Sequence, residues 1–267
     1  MDIWRLIVSG IQGPAENMAM DEALLLGASR TGIPVLRIYG WAPATLSLGF
    51  SQPVSRSVRL SEIRARHLAW IRRPTGGRAV LHDMEVTYSV CAPPGHTLYA
   101  MGLEASYECI CAPIVAALRT FGLDASLAPR HPSGIPTAAC FTAPGATDIV
   151  VAGRKIVGSA QMRTRIGMLQ HGSILLRSDP YKLFAVLPLG PSDLQAVAES
   201  SARFMTGLCE ESGRIVTFSE LSDVLAASFG DSGGRRLEAG ELEPEERRDV
   251  ERIRTTKYET DGWNSLR

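Results

Sequence analysis

Between Glu85 and Val90 apolar Val86, Tyr88 and Val90 alternate with polar Glu85, Thr87 and Ser89. A period of two places successive side chains on opposite faces of a strand. Soon afterwards the period changes. Leu103, Tyr107, Ile110, Ile114, Leu118 and Phe121 step by 4, 3, 4, 4 and 3, an amphipathic helix ended by Gly122. A chain that switches period in this way must pack a sheet and helices around one core. The switch recurs. Residues 3–8, 34–39, 45–48 and 69–72 predict strands, and 15–30 (opened by Pro14) and 60–67 predict helices. Residues 148–151 and 154–159 flank Ala152-Gly153 as a hairpin, and 168–176 predict a further strand. A hairpin excludes an all-parallel sheet. The expected fold is α+β, with a central mixed, largely antiparallel sheet flanked by helices. Pro113 is expected to kink the long helix unless that helix starts near it.

From Pro180 onward the pattern is helical. Thr217 and Glu220 have capping-box spacing, and Gly230 is a stop signal. Residues 231–240 predict a flexible linker, and 243–257 a charged, exposed helix. The expected organisation is one unit over 1–230, with 231–267 as a linker and short helical extension packed on it.

Charge and cysteine usage exclude several function classes. Lys+Arg and Asp+Glu are 28 each, so no overall field favours nucleic acid or a membrane surface. No window holds 18 uninterrupted apolar residues. Asp2 opens the chain, and Asn17, Asp21 and Glu22 interrupt the next apolar run, so no secretory signal is expected and the cytoplasm is the default. Cys91, Cys109, Cys111, Cys140 and Cys209 are odd in number and lack CxxC spacing, which argues against a disulfide framework or a zinc site. His67, His96 and His131 show no metal-ligand spacing.

Three segments carry candidate chemistry. In Arg72-Arg73-Pro74-Thr75-Gly76-Gly77-Arg78-Ala79-Val80-Leu81-His82-Asp83 the paired glycines permit close backbone approach, and the arginines suit a phosphate or carboxylate. A sharp turn with solvated arginines is equally compatible. In Ala138-Ala139-Cys140-Phe141 the cysteine is either a buried small hydrophobe or a loop nucleophile. In Gly153-Arg154-Lys155-Ile156-Val157-Gly158-Ser159-Ala160-Gln161 the lysine follows a hairpin turn, where solvation is its ordinary state, and the small residues suggest close packing against the strand backbone. Downstream, Gln170-His171-Gly172-Ser173 holds a histidine better suited to a core hydrogen bond than to catalysis.

Together these segments resemble the biotin/lipoate ligase superfamily on its lipoyl branch. The signature Arg-Arg-x-Thr-Gly-Gly-x-Ala-Val-x-His-Asp stands at 72–83, Gly-x-Lys-x-x-Gly-Ser-Ala-Gln at 153–161 and Gln-His-Gly-Ser at 170–173. Asn17 to Leu24 is similar to its N-terminal helix, and Tyr258 with Trp263-Asn264 to its terminal pattern. Ala-Cys-Phe-x-Ala-Pro at 139–144 is similar to the catalytic loop of the cysteine-dependent octanoyltransferases of the LipM type. The chain also stops just after Asn264, where many ATP-dependent lipoate ligases continue. At Phe50-Ser51-Gln52 the family often has an aromatic pair before the glutamine.

The resemblance implies a biotin/lipoate ligase-like fold and transfer of octanoyl from acyl carrier protein to a lysine of a lipoyl domain, such as that of glycine cleavage H protein. Cys140 would be the nucleophile and Lys155 the cation beside it. Arg73, Thr75, Gly76, Gly77, His82, Gly158, Ser159, Ala160, His171 and Gly172 would form the substrate site. A thiol with pKa about 8.5 is mostly protonated at neutral pH, and lowering it by about two units requires roughly 2.7 kcal/mol of differential interaction. No cofactor or metal is expected, since thioester to amide runs downhill. Arg56, Arg59, Arg64, Arg66, Arg72 and Arg73 would offer acidic partners a basic face, or else a solvated helix face. A monomer that binds neither nucleic acid nor membrane is expected. The alternatives are an ATP-dependent lipoate–protein ligase, an amidotransferase between lipoyl domains, and a carrier-binding module.

Overall fold

The computed structural model describes residues 2–128 and 147–266, so the 139–144 loop with Cys140 lies outside the described residues. Among the described residues the strands, in chain order, are β1 (Asp2–Gln12), β2 (Val35–Trp41), β3 (Thr45–Leu48), β4 (Ala69–Arg72), β5 (Val80–His82), β6 (Glu85–Ala92), β7 (Ala125–Leu127), β8 (Ile149–Val151), β9 (Arg154–Thr164), β10 (Gly167–Leu175) and β11 (Arg235–Ala239). Eight of them form one sheet in the order β11-β1-β2-β6-β10-β9-β8-β7, and β4-β3-β5 form a small second sheet. β1 runs parallel to both β2 and β11, while β2–β6–β10–β9–β8–β7 pair antiparallel. The sheet is therefore mixed and mainly antiparallel, and the fold is α+β as expected.

Every residue of β2, β6 and β10 is buried, because helices cover both faces of the sheet. On one face Leu36, Ile38, Val86, Tyr88 and Val90 meet the helices Leu103–Thr120 and Phe218–Asp231. On the other face lie the helices Pro14–Thr31 and Pro244–Ile253. The period-two pattern of β6 thus turns its apolar side chains to one interior and its polar ones to the other. Burying apolar area at about 25 cal/mol per Å² drives both.

Several expectations need correction. Part of the predicted linker is β11, an edge strand paired with β1 from Asp2↔Arg235 to Leu6↔Ala239. The terminal helix is not simply exposed. Glu246, Val250 and Ile253 are buried on it, and a π-helical turn (Arg254–Tyr258) follows. Helix Leu103–Thr120 is continuous through Pro113. The helix expected over 60–67 stops at Ala65, before His67 turns to φ 52. Gly230 sits inside its helix, which runs on to Asp231. Thr217 caps that helix as expected, accepting from Glu220 N.

Candidate functional site

A slot of about 450 Å³, its mouth included, opens where the small sheet meets β9 and β10. Its walls include Met18, Tyr39, Trp41 and Val80 together with the backbone of Gly77, Gly158, Ala160 and Gly172. Gly77 adopts φ +95, and a Cβ there would stand 2.7 Å from Arg73 Nη2, so the loop accepts no side chain at that point.

The arginine–glycine loop is fixed from within. Arg73 is buried and donates to the carbonyls of Ser47 (3.1 Å), Gly76 (2.8 Å) and Arg78 (2.7 Å). Arg72 is buried too, and its Nη1 donates to the carbonyls of Gly49, Phe50 and Gln52 at 2.9, 3.0 and 2.8 Å. Both side chains hold backbone, so neither belongs to a partner-facing surface. Arg56, Arg64 and Arg66 remain exposed.

Two buried polar networks line the slot. In the first, Asp21 Oδ1 accepts from Arg37 Nη1 and Ser89 Oγ at 2.8 Å each, and Oδ2 accepts from Tyr39 Oη at 2.9 Å. His171 Nδ1 lies 3.1 Å from the same Oδ2, and its Nε2 lies 2.7 Å from Thr75 Oγ1. Burial pushes the His171 pKa down, against the pull of Asp21, so the ring is neutral. Burial alone would raise the Asp21 carboxyl, but the His171 hydrogen bond and the Arg37 charge hold it below the usual carboxylate range. An ionised Asp21 accepts the Nδ1 proton, and Nε2 then accepts from Thr75. In the second network Glu85 Oε1 meets His82 Nδ1 (2.7 Å), Thr87 Oγ1 (2.7 Å) and Ser173 Oγ (2.8 Å). His82 stacks on Trp41 with centroids 4.2 Å apart, and its Nε2 lies 2.7 Å from Ser47 Oγ.

Lys155 is not a solvated hairpin lysine. The hairpin expected around Ala152-Gly153 is present, with φ 49 and 75 at those residues, yet Lys155 is 1% exposed. Its Nζ lies 2.8 Å from Asp148 Oδ2, whose side chain is 8% exposed. An opposite charge at that range favours the ammonium. Of the described cysteines, Cys91 and Cys111 are poorly suited to nucleophilic chemistry. Burial pushes the Cys111 thiol up to about 12 and raises Cys91 well above its ordinary value, and Cys209 Sγ accepts from Val216 N at 3.3 Å.

Of the residues singled out from sequence, Arg73, Gly77, His82, Gly158, Ser159, Ala160, His171 and Gly172 line one slot. Thr75 sits behind His171, Gly76 lies in the exposed turn, and Lys155 is buried with Asp148 on the same strand as Gly158. Cys140 lies outside the described residues. Sequence reasoning missed Asp21, Arg37, Glu85 and Asp148 as site residues. The available signal was a charge inside an apolar run, as in Val-Leu-Arg-Ile-Tyr-Gly-Trp of β2, because a buried charge requires a partner.

Residues 13–230 match the lipoyl protein ligase A/B catalytic domain. The chain belongs to this family. Octanoyltransferase LipM of Kyrpidia tusciae is 42% identical over 276 residues, spanning 99% of each chain. Octanoyltransferase LipM of Bacillus subtilis is 39% identical over 279 residues, spanning 100% of this chain and 99% of its own. Within the family the chain groups with these LipM-type proteins. A bipartite lipoate protein ligase of Thermoplasma acidophilum shares the fold, with a TM-score of 0.84 at 22% identity over 99% of this chain and 97% of its own.

Proposed function

We propose that this acyltransferase moves an octanoyl group from octanoyl-acyl carrier protein to a lysine of a lipoyl domain, through a thioester on Cys140. The observation that carries the reading is the narrow, mainly apolar slot beside the strand that bears buried Lys155. Each buried methylene contributes about 0.8 kcal/mol, so an eight-carbon chain binds there without a charged handle.

The Cys140 thiolate attacks the donor carbonyl, the carbon–sulfur bond to the carrier breaks, and the carrier leaves as a thiolate that takes a proton from water. The acceptor amine then attacks the enzyme thioester, forms the amide, loses a proton and returns the thiolate. Lys155, held as ammonium by Asp148, favours the ionised sulfur. That pairing makes the cationic role of Lys155 the primary one, ahead of a neutral proton acceptor. Thioester to amide is downhill and calls for no ATP or cofactor. Exposed Arg56, Arg64 and Arg66 offer acidic protein partners a landing face.

Intact-mass analysis after incubation with octanoyl-acyl carrier protein tests the reading. One octanoyl group on the protein, absent in Cys140→Ser, is expected. No adduct, with full activity of Cys140→Ala on lipoate, ATP and magnesium, would mean a ligase. An adduct formed from an octanoylated lipoyl domain but not from the carrier would mean an amidotransferase.

A further inference from the structure

We propose that Met162 is the stop for the acyl chain: its side chain closes the far end of the slot and so sets the length of acyl group the protein takes. This rests on the acyl-transfer reading above, with the reacting carbonyl at the Lys155 end of β9.

The slot does not end in solid core. A second cavity of about 620 Å³, its mouth included, is walled by Leu25, Leu26, Pro74, Met162, Ile166 and Trp263. Among the described residues none lines both cavities, yet the same three elements wall them. On helix Pro14–Thr31, Met18 lines the slot, and Glu22 and Leu25, four and seven residues on along the same face, line the second cavity. On β9, Gly158 and Ala160 line the slot, and Met162 and Thr164, next on the same face, line the second cavity. In the loop after β4, Arg73 and Gly77 line the slot and Pro74 the second cavity. The two are therefore successive compartments of one cleft between that helix and β9, and the cleft runs away from Lys155.

Side chains divide the compartments. Gly158 and Ala160 keep the strand face low, which leaves the slot its width. Past them, Met162 is the first long side chain on that face. It lies opposite Leu169 of β10 and packs, half-buried, against the cluster that holds Met18, Leu25 and Leu169. An unbranched thioether fills such a gap well. The neighbouring wall is rigid, because His171, opposite Ala160, is held by Thr75 and Asp21 at 2.7 and 3.1 Å. The far compartment is braced as well: Lys257 Nζ stands 3.9 Å from the centre of the Trp263 ring and pairs with Glu22 at 2.5 Å. An acyl chain that grows along β9 thus meets Met162 with apolar room behind it.

The experiment measures single-turnover adduct formation by intact mass with octanoyl-, decanoyl- and dodecanoyl-acyl carrier protein. It compares the unaltered protein, Met162→Ala and the double variant Met162→Ala/Leu26→Trp. Burying one methylene is worth about fourfold, so two methylenes entering the opened compartment should raise the decanoyl-to-octanoyl rate ratio about tenfold in Met162→Ala. The indole of the double variant refills the far compartment and should bring that ratio back to within about twofold of the unaltered protein. A ratio unmoved in Met162→Ala overturns the proposal. A ratio that stays raised in the double variant also overturns it, because general loosening of the slot, and not entry into the far compartment, would then be the cause. An unaltered protein that takes dodecanoyl as fast as octanoyl overturns it too. If Met162→Ala does not fold, Met162→Val, shorter and suited to a strand, decides by the same ratio. An unaltered protein that takes no octanoyl group overturns the acyl-transfer reading and this role with it. Octanoylation of the unaltered protein with the ratio unmoved in the variants overturns the role alone.

Discussion

Four hydrogen bonds converge on the Asp21 carboxylate, and Arg37, fully buried with it, supplies the only formal positive charge among those four donors. Removing one partner of a buried pair leaves an uncompensated charge. Arg37→Met is therefore expected to cost about 3–5 kcal/mol in urea unfolding, with the helix Pro14–Thr31 and the slot wall loosened together. His171 makes the network pH-sensitive. Its unfolded pKa is near 6.5 and its folded value is lower, so below pH 6.5 the unfolded chain takes up the proton first. The stability it contributes is fully present above pH 6.5 and is lost as pH falls toward the folded value. Asp21 adds an acid arm of the same sign, present above the ordinary aspartate value of 3.8 and lost as pH falls through its depressed folded value. Urea midpoints should drop between pH 7 and 5, and the slope should flatten in His171→Gln; an equal slope in that variant would refute the assignment. At this scale the motif residues were legible, because paired glycines and a run of small residues are local signals. Asp148 was not legible, because its significance comes from a lysine on the next strand of the hairpin.

The hairpin turn between β8 and β9 illustrates what an element can conceal. Ala152 and Gly153 both have positive φ, the geometry that favours Asn-Gly, yet the first position holds a residue with a Cβ. Ala152→Gly should raise stability by about 1 kcal/mol, read as a higher thermal midpoint, and should leave acylation unchanged. Helix Leu103–Thr120 shows the opposite case. Pro113 cannot donate to the Cys109 carbonyl one turn back, and Arg235 Nη2 reaches that carbonyl at 3.5 Å, the long limit of a hydrogen bond. Arg235 belongs to the segment expected to be a linker. β11 was illegible because it is short, polar and at the sheet edge, where alternation carries little burial signal. The long helix and β6 were legible because a full amphipathic period and a strict alternation each span several turns or rungs.

Across the whole molecule the chain after residue 231 is stitched to the frame of the site. β11 extends the main sheet, and helix Pro244–Ile253 lies on helix Pro14–Thr31, joined through Arg30–Asp249 at 2.8 Å. Tyr258 Oη donates to Glu22 at 2.6 Å. Trp263 Nε1 donates to the Arg72 carbonyl at 2.8 Å, and Asn264 Oδ1 accepts from the Arg72 N–H at 2.9 Å. Asn264 also donates to the Tyr258 carbonyl at 2.7 Å, so Asn264→Ala removes a clasp between the terminal turn and the glycine loop. A loss of about 1–3 kcal/mol in chemical unfolding is expected, accompanied by slower acylation. Fold class could be read from periodicity, since a sheet with helices on its faces follows from local pattern. Strand order could not, because β1 finds β11 only after all the intervening chain has been placed.

That pairing bears on synthesis. β1 leaves the ribosome ahead of β2 and can line up with it within a few tens of residues, but its other edge stays bare until β11 emerges more than two hundred residues later. For that interval the nascent polypeptide carries an open row of backbone donors and acceptors, the template on which neighbouring chains aggregate. Prematurely terminated copies that lack β11 should accordingly collect in the insoluble fraction of an expressing cell, whereas finished copies should not.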